Sequence, residues 1–265
     1  MRCLLFAAAL LLASPALAAE RILALTPHAC EILYAIGAGS KVVGAGEYCD
    51  YPVAAGKLPR VGNFDRINVE AALRLHPDAA VVMDAGVKGV ETLQGMGVSI
   101  VVSHPRSFEG VFDDIIRLGV LAEHTQEAGA LVASLRARLD RVRAMKRSET
   151  PVFYEIWADP MLTAGGPSFI SKLIHEAGGR NVFADIDIET PHVNVESVLR
   201  AAPEVIVVPL EGRSIEQRRT FWEGWIGKDK VRFISINPDL LHRPGPRLLD
   251  GLELLQKALS QGGVK

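Results

Sequence analysis

The sequence predicts an α/β protein of two similar lobes joined by one long α-helix. Three observations lead there. A fifteen-residue stretch occurs twice, NVEAALRLHPDAAVV at 68–82 and NVESVLRAAPEVIVV at 194–208, identical at eight positions and 126 residues apart. Short apolar runs alternate with amphipathic stretches in both halves, the pattern of a mostly parallel sheet covered on both faces. Between them, from about residue 107 to 146, the pattern is helical with no strand.

The 265 residues suffice for two lobes of roughly 120 residues each. At 49% hydrophobic and 23% charged, the chain can bury a core. A net charge of −2 gives a nucleic acid nothing to bind by bulk electrostatics. The chain opens MRCLLFAAALLLASPALAAE: one arginine, an apolar run from Leu4 to Leu12, then Ala16-Leu17-Ala18. That run is shorter than the roughly 20 apolar residues that span a bilayer. Residues 1–18 are therefore expected to be a cleaved signal peptide, leaving an exported, soluble chain that starts near Ala19.

In the first half RILAL is a strand. Thr26 and Pro27 open a helix, with proline in the first turn, where its missing N–H costs nothing. Ile32, Leu33 and Ile36 share one face of it, and Gly37 or Gly39 closes it. KVVGAGEY is a second strand, and Asp50 and Pro52 punctuate the turn CDYP. NVEAALRLHPD is a short helix and AAVVM a third strand; GVETLQGMG is a helix stopped by glycine and VSIVVS a fourth strand.

In the helical middle, Leu131, Leu135, Leu139 and Val142 follow at steps of four, four and three, one continuous apolar stripe. The 23 residues from Thr125 to Arg147 would extend roughly 35 Å, enough to run from one lobe to the other. After it PVFYEIW is a strand and PSFISKLIHEAGG a helix. The repeat helix NVESVLRAAPE with its strand VIVVP comes next. FWEGW starts another helix, VRFISI is a strand and GPRLLDGLELLQKALSQ a terminal helix. The expected organisation is a signal peptide (1–18), an N-terminal lobe (19–122), a linking helix (123–147) and a C-terminal lobe (148–265).

Asn68 and Asn194 suit the N-caps of the repeated helices, and Glu70 and Glu196 fall in their first turns, where the helix dipole favours an anion. Capping explains the residue types. A glutamate at the same place in two pseudo-symmetric lobes also offers a pair of exposed carboxylates to basic residues of a two-fold partner. With the signal peptide removed, Cys30 and Cys49 remain. In an oxidising compartment that count points to one disulfide, with two free buried thiols as the alternative.

At YCDYP, at both NVE…L…P segments and at RPGPR the chain resembles the periplasmic cobalamin-binding proteins of ABC importers. More broadly it resembles the helical-backbone class that also serves haem, ferric siderophores and metal ions. The resemblance spans nearly all of residues 21–260. It implies the class III periplasmic binding protein fold, two Rossmann-like lobes on one rigid helix with ligand in the cleft between them. It implies a monomer that binds a corrinoid, holds no cofactor of its own, and docks through Glu70 and Glu196 on the permease dimer of an importer with ATPase subunits. For the ligand it implies Tyr48, Phe64, Trp157 (or Tyr154), Asp239 and Arg243. Met83-Asp84 and Thr190 stand where the family usually has tryptophans. Aromatic faces give a flat amide-edged disc its apolar contact, and a few polar groups orient it. Cys30 and Cys49 would lie near the cleft of the first lobe.

Two other classes compete. Haem, siderophore or metal binding would draw on His28, His104, His192 and His242, each near a strand exit. His76, His124 and His175 read as surface residues, and no His-rich loop suggests a metal. For an enzyme there is no Gly-x-Ser-x-Gly elbow, phosphate loop or His-Glu-x-x-His, and GAGS at 37–40 ends a helix instead of opening one.

Overall fold

The computed structural model describes residues 18–209 and 215–261, so the expected signal peptide lies outside the described residues apart from Ala18. The first half contains β1 (Ile22–Ala24), α1 (Pro27–Ala35), β2 (Val42–Gly46), β3 (Arg60–Gly62), α2 (Val69–Leu73), β4 (Ala79–Val82), α3 (Val90–Gly95) and β5 (Ser99–Val102). These strands form one parallel sheet in the order β3-β2-β1-β4-β5. Two helices follow, α4 (Phe108–Leu121) and α5 (Thr125–Arg143).

The second half contains β6 (Thr150–Ala158), β7 (Met161–Thr163), α6 (Phe169–Glu176), β8 (Gly179–Asn181), α7 (Val195–Ala201), β9 (Val205–Pro209), α8 (Ile215–Ile226), β10 (Arg232–Ile236), α9 (Asp239–His242) and α10 (Leu248–Ser260). Here β10, β9 and β6 run parallel. The long β6 takes β8 alongside its first residues and β7, antiparallel, alongside its last. Three strands have no sequence counterpart above: β3, β7 and β8. Each is three residues long, too short to show a period of two.

The repeat is a structural repeat. Asn68 accepts from the Ala71 amide at 3.0 Å, and Asn194 from the Ser197 amide at 2.8 Å. Beyond each helix the residue before proline, His76 or Ala202, has a left-handed backbone with φ of 47°.

The linking helix α5 runs unbroken for 19 residues, about 28 Å. It is shorter than the full amphipathic stretch because its N-cap falls at His124 and its C-cap at Ala144. Its buried face is Ala128, Val132, Leu135, Leu139 and Val142, with Leu131 half-buried beside it. That face belongs to one hydrophobic core that includes β1 of one sheet and β6 and β9 of the other. Arginines on its other faces reach both ways. Arg136 binds Glu109 of α4, Arg138 binds Asp250 and Glu253 of α10, and Arg143 binds Glu176 of α6. Among the described residues no helix is long and apolar enough to cross a membrane.

Candidate functional site

In parallel sheets the carboxyl ends of the strands carry the loops that bind ligands. Here those ends face a cleft between the lobes. His28 follows β1, Tyr48 follows β2, Phe64 follows β3, Met83 follows β4, and His104 and Arg106 follow β5. Opposite them stand Ile156 on β6, Glu189 and Thr190 after β8, and 238–244 after β10. Two hollows share His28, Met83, His242 and Pro244, so the slot is continuous. One wall is held by close backbone contact: a Cβ on Gly165 would lie 1.9 Å from the Ile188 carbonyl oxygen, so only glycine lets loop 184–190 approach.

Tyr48 and Phe64, expected as ligand contacts, come together. Their rings stack with centroids 5.0 Å apart and planes 11° apart, and both are exposed to the slot. Nothing in the sequence places these two loops side by side; the β2–β3 pairing does.

Arg243 and Asp239 also reach the slot, but Arg243 is not free. It binds Asp50 at 2.5 Å, Asp239 at 2.8 Å and the buried Glu31 at 3.5 Å. Arg247 completes the cluster: its guanidinium donates to both Glu31 oxygens, at 2.9 and 2.5 Å, and lies 3.8 Å from the Tyr51 ring centre. Arg243 holds the Asp50 carboxyl below its usual pKa. The RPGPR segment of one lobe is thus pinned to α1 and the YCDYP turn of the other.

Burial favours the neutral form of two cleft histidines, His28 and His242. His28 is buried, and desolvation lowers its pKa to about 4. Ser103 Oγ donates to Asp114 at 2.6 Å, so His28 Nε2 is the donor to that hydroxyl, at 2.8 Å. His242 Nε2 lies 2.9 Å from the Tyr154 hydroxyl, and the protein crowded around its ring lowers its pKa through desolvation. His104 stands exposed in the slot and His192 outside it. The remaining lining charges balance: Arg106 and Arg243 against Glu189 and Asp239. Among the described residues no three His, Cys, Asp or Glu side chains converge to hold a metal.

Two expectations need correction. Trp157 does not line either hollow; Ile156 does. Side chains alternate along β6: Val152, Tyr154 and Ile156 face the shared core and the slot, Phe153 and Glu155 face α8, and Trp157 falls on that second side. The alternative, Tyr154, is buried and spends its hydroxyl on His242. Cys30 and Cys49 are two free, buried thiols instead of a disulfide. Cys49 Sγ donates to the carbonyls of Ala24 and Thr26, at 3.2 and 3.4 Å. Contact with Cys49 and then burial push the Cys30 thiol up.

The sequence reading also missed Phe169, which lines the slot and packs edge-on against Phe108 at 5.5 Å. It opens its helix after the N-cap Ser168, a position that carries no local mark of a ligand contact. Glu70 and Glu196 are exposed as expected. Both helices start at the carboxyl-end side of their sheets, because α2 leads back to the start of β4 and α7 to the start of β9. The two carboxylates therefore flank the cleft face.

Two α/β lobes on one rigid helix, with a preformed aromatic slot between them, define a protein that holds a small ligand. The chain belongs to the periplasmic binding protein family, which it matches over residues 22–221. It is 34% identical over 259 residues to the vitamin B12-binding protein of Vibrio cholerae serotype O1, covering 94% of this chain and 92% of that one. It is 30% identical to the vitamin B12-binding protein of Photorhabdus laumondii, covering 92% and 89%. The crystal structure of the periplasmic vitamin B12 binding protein BtuF of Vibrio cholerae superposes with a TM-score of 0.78 at 31% identity, covering 92% of this chain and 99% of that one. The periplasmic heme-binding protein BhuT, in complex with two hemes, shares the fold with a TM-score of 0.79 at 24% identity, covering 91% and 99%.

Proposed function

We propose that this chain is the periplasmic binding subunit of an ABC importer, capturing a corrinoid in the inter-lobe slot and delivering it to the permease dimer and its ATPase subunits. One observation carries the ligand class: the stacked Tyr48–Phe64 pair at the edge of a charge-balanced slot. A corrin is a flat disc edged with neutral amides. It needs apolar area and hydrogen-bonding groups, not net charge. Haem carries carboxylates and ferric siderophores are commonly anionic, and both slot arginines already face carboxylates: Arg243 as above, and Arg106 with Glu189 at 3.9 Å. The relatives named for vitamin B12 support the same reading. It assigns no catalytic step to the chain.

A side-by-side titration of the mature protein with cyanocobalamin, cobinamide and haemin tests it. One-to-one binding of a corrinoid, tighter than haemin, is expected; tighter haemin binding overturns it. For delivery, replacing Glu70 and Glu196 together with alanine is expected to leave corrinoid binding intact and abolish uptake into cells.

A further inference from the structure

Trp157 and His192 line neither of the two hollows, yet they belong to one surface feature. Trp157 on β6 is the register partner of Leu162 on β7, and Leu162 bridges in antiparallel fashion to His192. Residues directly opposed on antiparallel strands put their side chains on one face. Trp157, Leu162 and His192 therefore make a row, exposed at both ends and half-buried at the centre.

The row is held in place before any partner arrives. The Thr163 amide donates to the Pro191 carbonyl and the Val193 amide to the Met161 carbonyl, both at 3.1 Å. The indole N–H of Trp157 donates to the Asp159 carbonyl at 2.8 Å. That leaves a 51% exposed tryptophan with its one polar group satisfied and its apolar faces open. Two residues past His192, Asn194 caps α7, and the exposed Glu196 stands in the first turn of that helix.

We infer that the Trp157–Leu162–His192 row is the apolar half of the permease-docking surface whose charged half is Glu196; this rests on the docking reading given above. The occupant is the periplasmic face of the importer's permease, presenting a cation to Glu196 and an apolar surface to the indole. Continuity argues for it: the segment that carries His192 runs directly into the helix that carries Glu196. Energetics argue for it as well. An exposed carboxylate paired across a wet interface gives orientation and little affinity, whereas a rigid tryptophan excluding water beside it supplies affinity. Alternation along β6 serves both faces, giving Ile156 to the slot and Trp157 to the row.

The test uses the mature protein and the importer's permease–ATPase complex in lipid nanodiscs. W157A and H192A are expected to keep cyanocobalamin affinity within about twofold of wild type. W157A is expected to weaken binding to the nanodisc complex by about tenfold or more, and H192A by less. W157F, which keeps an aromatic ring, should recover most of the loss. Weakened corrinoid binding in W157A, with the melting temperature unchanged, overturns the inference by returning the ring to the ligand. Unchanged docking in both W157A and a charge-introducing W157D also overturns it. A wild-type protein that docks but binds no corrinoid counts against the ligand reading alone, and one in which E196A docks normally counts against the docking reading.

Discussion

Arg243 of the C-terminal lobe holds Asp50 of the N-terminal lobe, 193 residues earlier in the chain, with two hydrogen bonds of 2.5 and 3.2 Å. Its neighbour Arg247 does the same to Glu31. The two carboxylates differ in burial, and that decides what each contributes. Asp50 is mostly exposed, so water screens its pairing, and D50A is expected to cost under about 1 kcal/mol of stability. The Glu31 side chain is 2% exposed. E31A leaves Arg247 with no acidic partner among the described residues and removes one of three from Arg243, at a cost of about 3 kcal/mol. Urea unfolding of the two variants checks this; equal shifts in midpoint would refute the ranking.

The buried His28 makes stability depend on pH in a defined window. Its pKa is about 4 when folded against an ordinary 6.5. The folded state therefore keeps it neutral between those values while the unfolded chain takes up a proton. Stability is complete above about pH 6.5, falls as pH drops toward 4, and loses no more from this group below that; the total is about 3 kcal/mol. Denaturant unfolding across pH 7 to 4 should show the slope, and H28Q should flatten it. An identical pH profile in H28Q would assign the slope to other groups.

What was legible in the sequence was whatever a local pattern records. The two capped helices, the glycine stop at Gly37 and the 3.6-residue stripe of α5 were readable because each is fixed by residues near one another. Tyr48 and Phe64 were readable as separate exits from strands, but their stacking depends on pairing across β2 and β3. Arg243 lines the slot, and its main partners were not legible, since Asp50 and Glu31 lie in the other lobe. Trp157 was misplaced because β6 is buried on both faces from Val152 to Glu155, so its sequence does not show which set of alternate residues meets the slot.

The same strand carries a buried ion pair. Arg218 of α8 donates to both oxygens of Glu155, at 2.7 and 2.5 Å, and the indole N–H of Trp222 donates to one of them at 2.8 Å. Both charges are nearly inaccessible to water. R218M leaves Glu155 buried with only the indole, and should cost about 3–5 kcal/mol, lowering the melting temperature by about 10 °C. The double replacement E155L/R218M removes both charges and should recover much of that loss, because the desolvation cost goes with them. Calorimetry separates the cases: a double variant as unstable as R218M would make packing, not charge, the cause.

The stacked rings make the sharpest prediction for the ligand. Phe64 has no polar group to satisfy and contributes only area and ring geometry, so its effect on binding can be attributed cleanly. F64A removes one face of the platform and leaves Tyr48 without its stacking partner at 5.0 Å. An aromatic contact of this kind is worth about 0.5–1.5 kcal/mol beyond the area it buries, so cyanocobalamin affinity should fall by about tenfold. F64W, with a larger face, should bind at least as tightly as wild type, and F64L should fall between, keeping apolar area without a planar ring. Isothermal titration measures all three. If F64L matches wild type, the platform acts as apolar surface alone and the stacked geometry has no part in selecting a flat ligand.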